Sequence, residues 1–177
     1  QPVLSPGSLV TVYAPNLSRA TLVGQYGLLS QYPTDIQQYS VRINGVAAPL
    51  LEIAFDRIQA IVPFEIAGAA TAEVVLTVPQ GLSPTPGGNN SVPFGVPFQE
   101  TAPAIRTIHP SGSGLVDARQ IVKDEWKWSQ HGPDNPVPRG GAIELFVTGA
   151  GLWATPLRGD IAYGDPRPRP PTSLNAP

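Results

Sequence analysis

The 177-residue chain contains no cysteine, and only 14% of its residues are charged. Without cysteine there is no disulfide framework and no thiolate chemistry. The net charge of −2 leaves no basic surface of the kind that nucleic acids or anionic membranes require. No apolar run approaches the roughly 20 residues that span a bilayer. The composition therefore argues against nucleic-acid binding and against membrane insertion.

Methionine is absent as well, even at position 1. Because translation starts with methionine, the sequence predicts that the chain has been processed or excised, or that it is part of a longer sequence. A start at Gln1-Pro2 suits the mature end that signal-peptide removal leaves. We therefore expect an extracellular or cell-surface protein, exported by a signal peptide that is not part of this sequence.

Helix signals are scarce, whereas 18 glycines and 22 prolines punctuate short runs of β-branched and aromatic residues. The pair Asn44-Gly45 is the strongest hairpin signal, since both residues accept the positive φ of a type I′ turn. Pro49 indicates an edge or a bulge in the strand that follows. In this half of the chain strands are predicted at residues 9–14, 39–43, 46–53, 57–62, 72–78 and 92–98.

Short strands at this spacing, with no helices between them, are typical of an immunoglobulin-like (Ig-like) sandwich of about 100 residues. We therefore predict a complete domain over residues 1–101. The motif Pro6–Tyr13 then returns as Arg139–Phe146, which predicts a second module over residues 102–177.

The second module is expected to begin with a hairpin, formed by residues 115–122 and 126–129. A strand at 142–148 and a short one near Asp160–Tyr163 follow, before a Pro-rich connector. The predicted fold is all-β, with two Ig-like antiparallel β-sandwich modules in tandem, the second incomplete.

Several motifs in this order resemble one family. They are Ser5–Tyr13, Val41–Leu51, Arg57–Glu65, Ala102–Ile105, Asn135–Gly140 and Phe146–Gly149. Together they are similar to IPT/TIG-like domains, and more narrowly to the uncharacterised C-terminal domain of large exported proteins in Solibacter-type acidobacteria. The resemblance implies an exported, Ig-like, non-enzymatic module with no catalytic residues. Members of that family continue beyond the Pro-rich connector into further strands, and they carry a different turn where this chain has Val122–Glu125.

Candidate catalytic and metal-binding residues are few. His109 and His131 lie far apart in sequence, whereas a zinc site needs three or four ligands. Asp124 and Glu125 are adjacent, so a strand would point them to opposite faces and prevent them from acting together on a glycosidic bond. Calcium ligands at Asp134-Asn135 and Asp160 lack a supporting spacing. We expect no catalytic residue, no metal and no cofactor.

Tryptophan supplies the candidate contact residues. Trp126 and Trp128 are two apart on a predicted strand and would share one face, which suits stacking on a glycan or a subunit contact. Trp153 is a third candidate for the same role.

The unfinished second sandwich suggests a function. A sheet that lacks strands exposes backbone edges, which invite pairing with another chain. We therefore expect a non-enzymatic structural subunit of a surface assembly or filament, self-associating by strand complementation. The alternative is an Ig-like glycan- or protein-binding module of a larger exported protein. The candidate donated or linking residues are Gln1, Pro2, Val3, Leu4, Pro166, Pro168, Pro170 and Pro171.

Overall fold

The computed structural model describes residues 3–25, 32–79, 89–109, 113–122, 125–131 and 136–151, with the backbone alone at 119–122 and 125–131. Within these ranges the chain is an all-β protein of antiparallel sheets, and its one helical element is the 3-10 turn Phe64–Ile66. This confirms the predicted all-β class.

Two compact units divide the chain. Unit 1 comprises Gln1–Ala102 together with the segment that begins at Gly149, and unit 2 comprises Pro103–Thr148. The sequence-based division into residues 1–101 and 102–177 stays a prediction, as does the incomplete second sandwich, because the chain after Gly151 lies outside the described residues.

Unit 1 contains two four-stranded sheets. One has the order β1-β6-β5-β2 and the other the order β4-β3-β7-β8. Their strands are β1 (Leu9–Tyr13), β2 (Leu22–Val23), β3 (Ser40–Ile43), β4 (Val46–Ala47), β5 (Leu50–Ile53), β6 (Arg57–Ile61), β7 (Thr71–Thr77) and β8 (Phe94–Pro97).

Strict alternation places the core of unit 1 between these sheets. On β7, Ala72, Val74 and Leu76 are buried while Glu73 is exposed, because successive residues of a strand point to opposite faces. Val41 and Ile43 of β3 are completely buried in the same cluster, which also takes in Ile58 of β6 and so joins both sheets. Burial of a valine or isoleucine side chain of this kind contributes roughly 1.5–3 kcal/mol to the free energy of unfolding. The result is a sandwich-like arrangement around one apolar core.

The hairpin between β3 and β4 is built as its sequence predicts. Asn44 and Gly45 both adopt positive φ, 50° and 79°, which is the requirement of a type I′ turn. The Asn44 side chain then ties the turn to β7, because its Oδ1 accepts from the Glu73 amide at 2.7 Å and its Nδ2 donates to the Thr71 carbonyl at 3.1 Å.

The strand predicted at residues 46–53 is wrong as a single element. The chain changes sheets at Ala48-Pro49, so that β4 pairs with β3 while β5 pairs with β6. The Ala48 amide donates to the Val41 carbonyl in one sheet, and the Pro49 carbonyl accepts from Ile61 in the other. Proline fits this corner because it has no amide to leave unpaired between the sheets.

Unit 2 is built on one central strand, β10. Its sheet has the order β11-β10-β12, and a two-stranded pairing of β9 with β13 accompanies it. The strands are β9 (Ala104–Ile105), β10 (Val116–Val122), β11 (Glu125–His131), β12 (Ile143–Leu145) and β13 (Val147–Thr148). The predicted hairpin is confirmed, whereas the strand predicted at 142–148 divides at Phe146, whose carbonyl accepts from the Arg106 amide.

A buried polar contact in unit 1 surrounds Gly149. Ser5 and Ser8 are buried with their hydroxyls 2.9 Å apart, and the Ser5 hydroxyl donates to the Gly149 carbonyl at 2.9 Å. The same carbonyl accepts from the Ala102 amide at 3.0 Å. Gly149 has a φ of 71°, and an added Cβ would lie 2.5 Å from the Ala102 carbonyl oxygen and 2.6 Å from Ser8 Oγ. Only glycine fits this position.

We predict that Gly149→Ala destabilises unit 1 far more than Gly68→Ala does. Gly68 has a similar φ of 85°, but nothing lies within 4 Å of an added Cβ there. The control should cost about 1–2 kcal/mol for the left-handed backbone alone, and Gly149→Ala about 1–3 kcal/mol more for the overlap with polar backbone and hydroxyl atoms. Urea denaturation followed by circular dichroism measures both, and equal losses would contradict the crowding around Gly149.

Candidate functional site

Candidate metal-binding side chains are not clustered in the part of the chain that the structure describes. No group of three or more histidine, aspartate or glutamate side chains among them is placed to hold a metal ion. His109 is exposed in the loop after β9, and His131 is the last residue of β11. Asp124, Asp134, Asn135 and Asp160 lie outside the described residues.

Two neighbouring clefts lie in the described part of unit 1. One has a volume of about 480 Å³ and is lined by residues 68–70 and 98–101. Its neighbour, of about 350 Å³, shares Gly68, Glu100 and Thr101. Glu100 is the single ionisable side chain among the described residues that line them, so neither cleft presents a pair of groups for acid–base catalysis.

Two of the three candidate tryptophans lie in one strand. Trp126 and Trp128 belong to β11, where the register places them opposite Ile121 and Arg119 of β10. Trp153 lies outside the described residues. Strand β11 is therefore the element to which the predicted contact residues lead.

The direction of the β11 backbone follows from a single hydrogen bond on β10. The Asp117 amide donates to the Arg106 carbonyl at 3.0 Å, and this partner is not part of β11. In a strand, the N–H and C=O groups of successive residues point to alternate sides. The groups of Asp117, Arg119 and Ile121 therefore point away from β11, while those of Val116, Ala118, Gln120 and Val122 point toward it.

The same alternation assigns the two sides of β11. Glu125, Lys127, Ser129 and His131 stand opposite Val122, Gln120, Ala118 and Val116, so their backbone groups bond to β10. Trp126, Trp128 and Gln130 then direct their amides and carbonyls to the opposite side. Among the strands that the structure describes, β11 pairs with β10 alone. Within the described part of the chain, three donors and three acceptors thus line an edge of β11 that has no partner strand, called its open side below.

Arg106 and Asp117 also form an ion pair, beside the backbone hydrogen bond that gives the direction of β10. Arg106 Nε lies 2.9 Å from Asp117 Oδ2, and the Asp117 side chain is only 17% exposed. The pair acts beside the backbone bond between the same two residues. Since the Arg106 side chain is 42% exposed, solvent screening limits the contribution to about 1 kcal/mol or less. The contact therefore positions the start of β10 more than it stabilises unit 2.

Unit 2 also exposes apolar side chains along its other short strands. Ile143 and Leu145 of β12 are 38% and 43% exposed, and Val147 of β13 is 52% exposed. Ile105 of β9, which pairs with Val147, is 48% exposed. Isolated exposed apolar residues are ordinary, but here they recur on three strands of one small unit.

Of the predicted donated or linking residues, the structure describes Val3 and Leu4. Leu4 is buried, its amide donates to the Pro97 carbonyl and its carbonyl accepts from Gln99, both at 2.9 Å. Leu4 thus extends the β8 side of its own unit, and in this conformation it is not free to be donated; Val3, just before it, is half-buried. Gln1, Pro2, Pro166, Pro168, Pro170 and Pro171 lie outside the described residues.

Sequence reasoning led to β11 but missed its open side. The available signal was the spacing: strand residues Val122 and Glu125 flank a two-residue connection, and such residues pair in a tight hairpin. The strand predicted from the sequence starts at Trp126 and leaves Glu125 in the turn, so the predicted spacing does not indicate which residues of β11 face β10.

The described residues contain no helix long and apolar enough to cross a membrane.

No protein-family model, no curated protein and no solved structure matches this chain. The resemblance drawn from its motifs therefore stays a prediction.

The alternation predicts a pattern of amide hydrogen exchange along β11. In dilute protein, the amides of Lys127 and Ser129 should exchange slowly because they bond to β10, whereas those of Trp126, Trp128 and Gln130 should exchange fast because they face solvent. NMR-detected exchange at low protein concentration measures each amide separately. Slow exchange at the three even-numbered residues in dilute protein, or the reverse alternation, would contradict the assignment of the open side.

Proposed function

We propose that this chain is a non-enzymatic structural protein of the cell exterior, a subunit of a surface assembly or filament whose copies join by pairing of β-strands. The open side of β11 carries the proposal. Its seven residues stay in unbroken antiparallel register with β10, and three of them turn both backbone groups outward.

Within the residues that the structure describes, strand β11 shows few of the features that protect natural edges. Proteins shield exposed strands with prolines, bulges or very short edges, because a row of free amides and carbonyls pairs readily with another chain. Residues 125–131 contain no proline and no glycine, and the register shows no bulge. Glu125 and Lys127 are the charged residues that remain to discourage unspecific pairing.

The exposed apolar residues of unit 2 support an assembled state. Removing apolar surface from water contributes roughly 25 cal/mol of free energy for each Å². The exposed residues concerned are Ile105, Ile143, Leu145 and Val147. Self-association that covers part of this surface would add to the hydrogen bonds of a paired edge.

The motif resemblance supports an exterior, non-enzymatic role. The motifs from Ser5–Tyr13 to Phe146–Gly149 are similar to those of exported modules with Ig-like sandwiches, and this resemblance implies no catalytic residues. The pairing runs through β11, since Leu4 is already paired in its own unit.

We expect the protein to associate with increasing concentration, and a Trp128→Pro variant to stay monomeric. Proline removes an amide that faces away from β10, so the hairpin keeps its internal hydrogen bonds while the outer edge loses a donor. Sedimentation across a range of concentrations measures the association, and circular dichroism checks that the variant is folded. Gln130→Pro is the second variant, for use if Trp128→Pro does not fold.

Trp128→Val is the matched control. It removes the indole but keeps the outward amide, so association by strand pairing should weaken by at most about tenfold, the loss of one good cross-strand pair. A glycan-binding or indole-centred contact would respond to Trp128→Val as strongly as to Trp128→Pro. A wild-type chain that stays monomeric at the highest concentration would contradict the proposed function itself.

A further inference from the structure

We propose that the strand received by β11 is β11 of a second copy, joined antiparallel about a two-fold axis at Trp128 into a continuous six-stranded sheet. This inference rests on the proposed function and names the partner and the register of one contact, which joins copies in pairs; an assembly larger than a pair needs a second contact. A two-fold contact uses the same surface on both subunits, so the strand must be complementary to itself.

Backbone direction limits the possible registers. In an antiparallel ladder, hydrogen-bonded pairs form only between residues whose groups point at each other. On the open side of β11 these residues are Trp126, Trp128 and Gln130. With the axis at Trp128, residue 126 faces residue 130 of the second copy and residue 128 faces its own counterpart.

This register satisfies every outward group of β11. Each of the three pairs exchanges two hydrogen bonds, so all three donors and all three acceptors on both copies are used. An axis at Lys127 or at Ser129 pairs only two of the outward residues, and an axis at Trp126 or Gln130 pairs only one. The outward backbone groups of β11 are thus arranged symmetrically about Trp128.

The charge pattern favours the same register. An axis at Trp128 places Glu125 opposite His131 and Lys127 opposite Ser129 of the second copy, with no like charges facing each other. An axis at Lys127 places the two lysines directly opposite, which is destabilising across a strand pair. Hydrogen-bond count and charge therefore agree on one arrangement.

The other edge of the same sheet is a weaker partner. Strand β12 has three residues, and the pairing of Glu144 with Arg119 leaves the backbone groups of Ile143 and Leu145 directed outward. It offers two outward residues to the three of β11. Pairing of β11 with β12 of another copy would leave backbone groups of β11 without partners, at a cost that pairing of β11 with itself avoids.

Because the chain has no cysteine, single cysteine variants report the register. A residue on the two-fold axis faces its own counterpart, with Cα atoms about 4.5–5.5 Å apart, within the range for a disulfide. We would oxidise Trp126→Cys, Lys127→Cys and Trp128→Cys under identical conditions with copper phenanthroline, at a concentration where the wild type associates. Non-reducing electrophoresis then measures the rate of dimer formation, and repetition in urea gives the rate for random encounter.

We expect Trp128→Cys to cross-link at least about tenfold faster than either neighbour, and the difference to vanish in urea, since only an ordered contact raises the effective concentration of facing thiols. An equimolar mixture of Trp126→Cys and Gln130→Cys is the second measurement. It leaves Trp128 in place and should form the mixed disulfide faster than either variant forms its own.

Other outcomes overturn the inference in distinguishable ways. Faster cross-linking of Lys127→Cys or Trp126→Cys would place the axis elsewhere, and the register would be wrong while association through β11 stands. Wild-type association with no cross-link above the urea rate for any variant or mixture would mean that a different surface or a different strand is the partner. Absence of wild-type association in sedimentation would remove the proposed function and this inference together.

Discussion

A strand can satisfy only half of its backbone polar groups on each side, and this constraint organises both units of the protein. Unit 1 meets it by giving the chain two places to pair. At Ala48-Pro49 the backbone leaves one sheet and enters the other, with hydrogen bonds to Val41 on one side and Ile61 on the other. Proline removes the donor that such a corner would otherwise leave unpaired.

The same constraint explains how unit 1 treats its segments near Leu4 and Gly149. Leu4 pairs beside Phe98 at the end of β8, and the Gly149 carbonyl is satisfied by the Ser5 hydroxyl and the Ala102 amide. Two serine hydroxyls are buried there, but each has a hydrogen-bond partner, which makes their burial tolerable. Backbone groups that lie away from regular strands are thus satisfied by side chains and by local pairing.

In the described part of unit 2, β10 has hydrogen-bond partners on both sides, whereas β11 has a partner strand on one side. Strand β10 has partners on both sides, since β11 takes one side while β12 and Arg106 take the other.

Local features of the sequence predict part of the fold. Asn44-Gly45 specifies its turn through backbone preference, and the alternation of Ala72, Val74 and Leu76 specifies a half-buried strand, because both signals are contained in neighbouring residues. The two-residue strand β2 is not predicted, since two residues are too few to show an alternation of buried and exposed positions. The division of the strand at Phe146 is not predicted either, because it depends on Arg106, 40 residues earlier in the sequence.

The open side of β11 belongs to this second kind of feature. The sequence of residues 125–131 predicts a strand, but nothing in it says which alternate residues face β10. That information comes from the Asp117 amide, whose bond to Arg106 assigns the direction of every other backbone group along the hairpin. The two-residue connection between Val122 and Glu125 agrees with it, so the pairing of the hairpin and of β10 with Arg106 places Trp126, Trp128 and Gln130 at the open edge. Had the hairpin formed with the opposite alternation, the outward residues would be Glu125, Lys127, Ser129 and His131. That pattern would also be centred on Trp128, but the backbone groups of Trp128 would then face β10, and Lys127 and Ser129 of the two copies would form a hydrogen-bonded pair. The outward direction of the Trp128 backbone at the centre of β11 is therefore a consequence of how β10 pairs with β11 and with Arg106, and not of residues 125–131 alone.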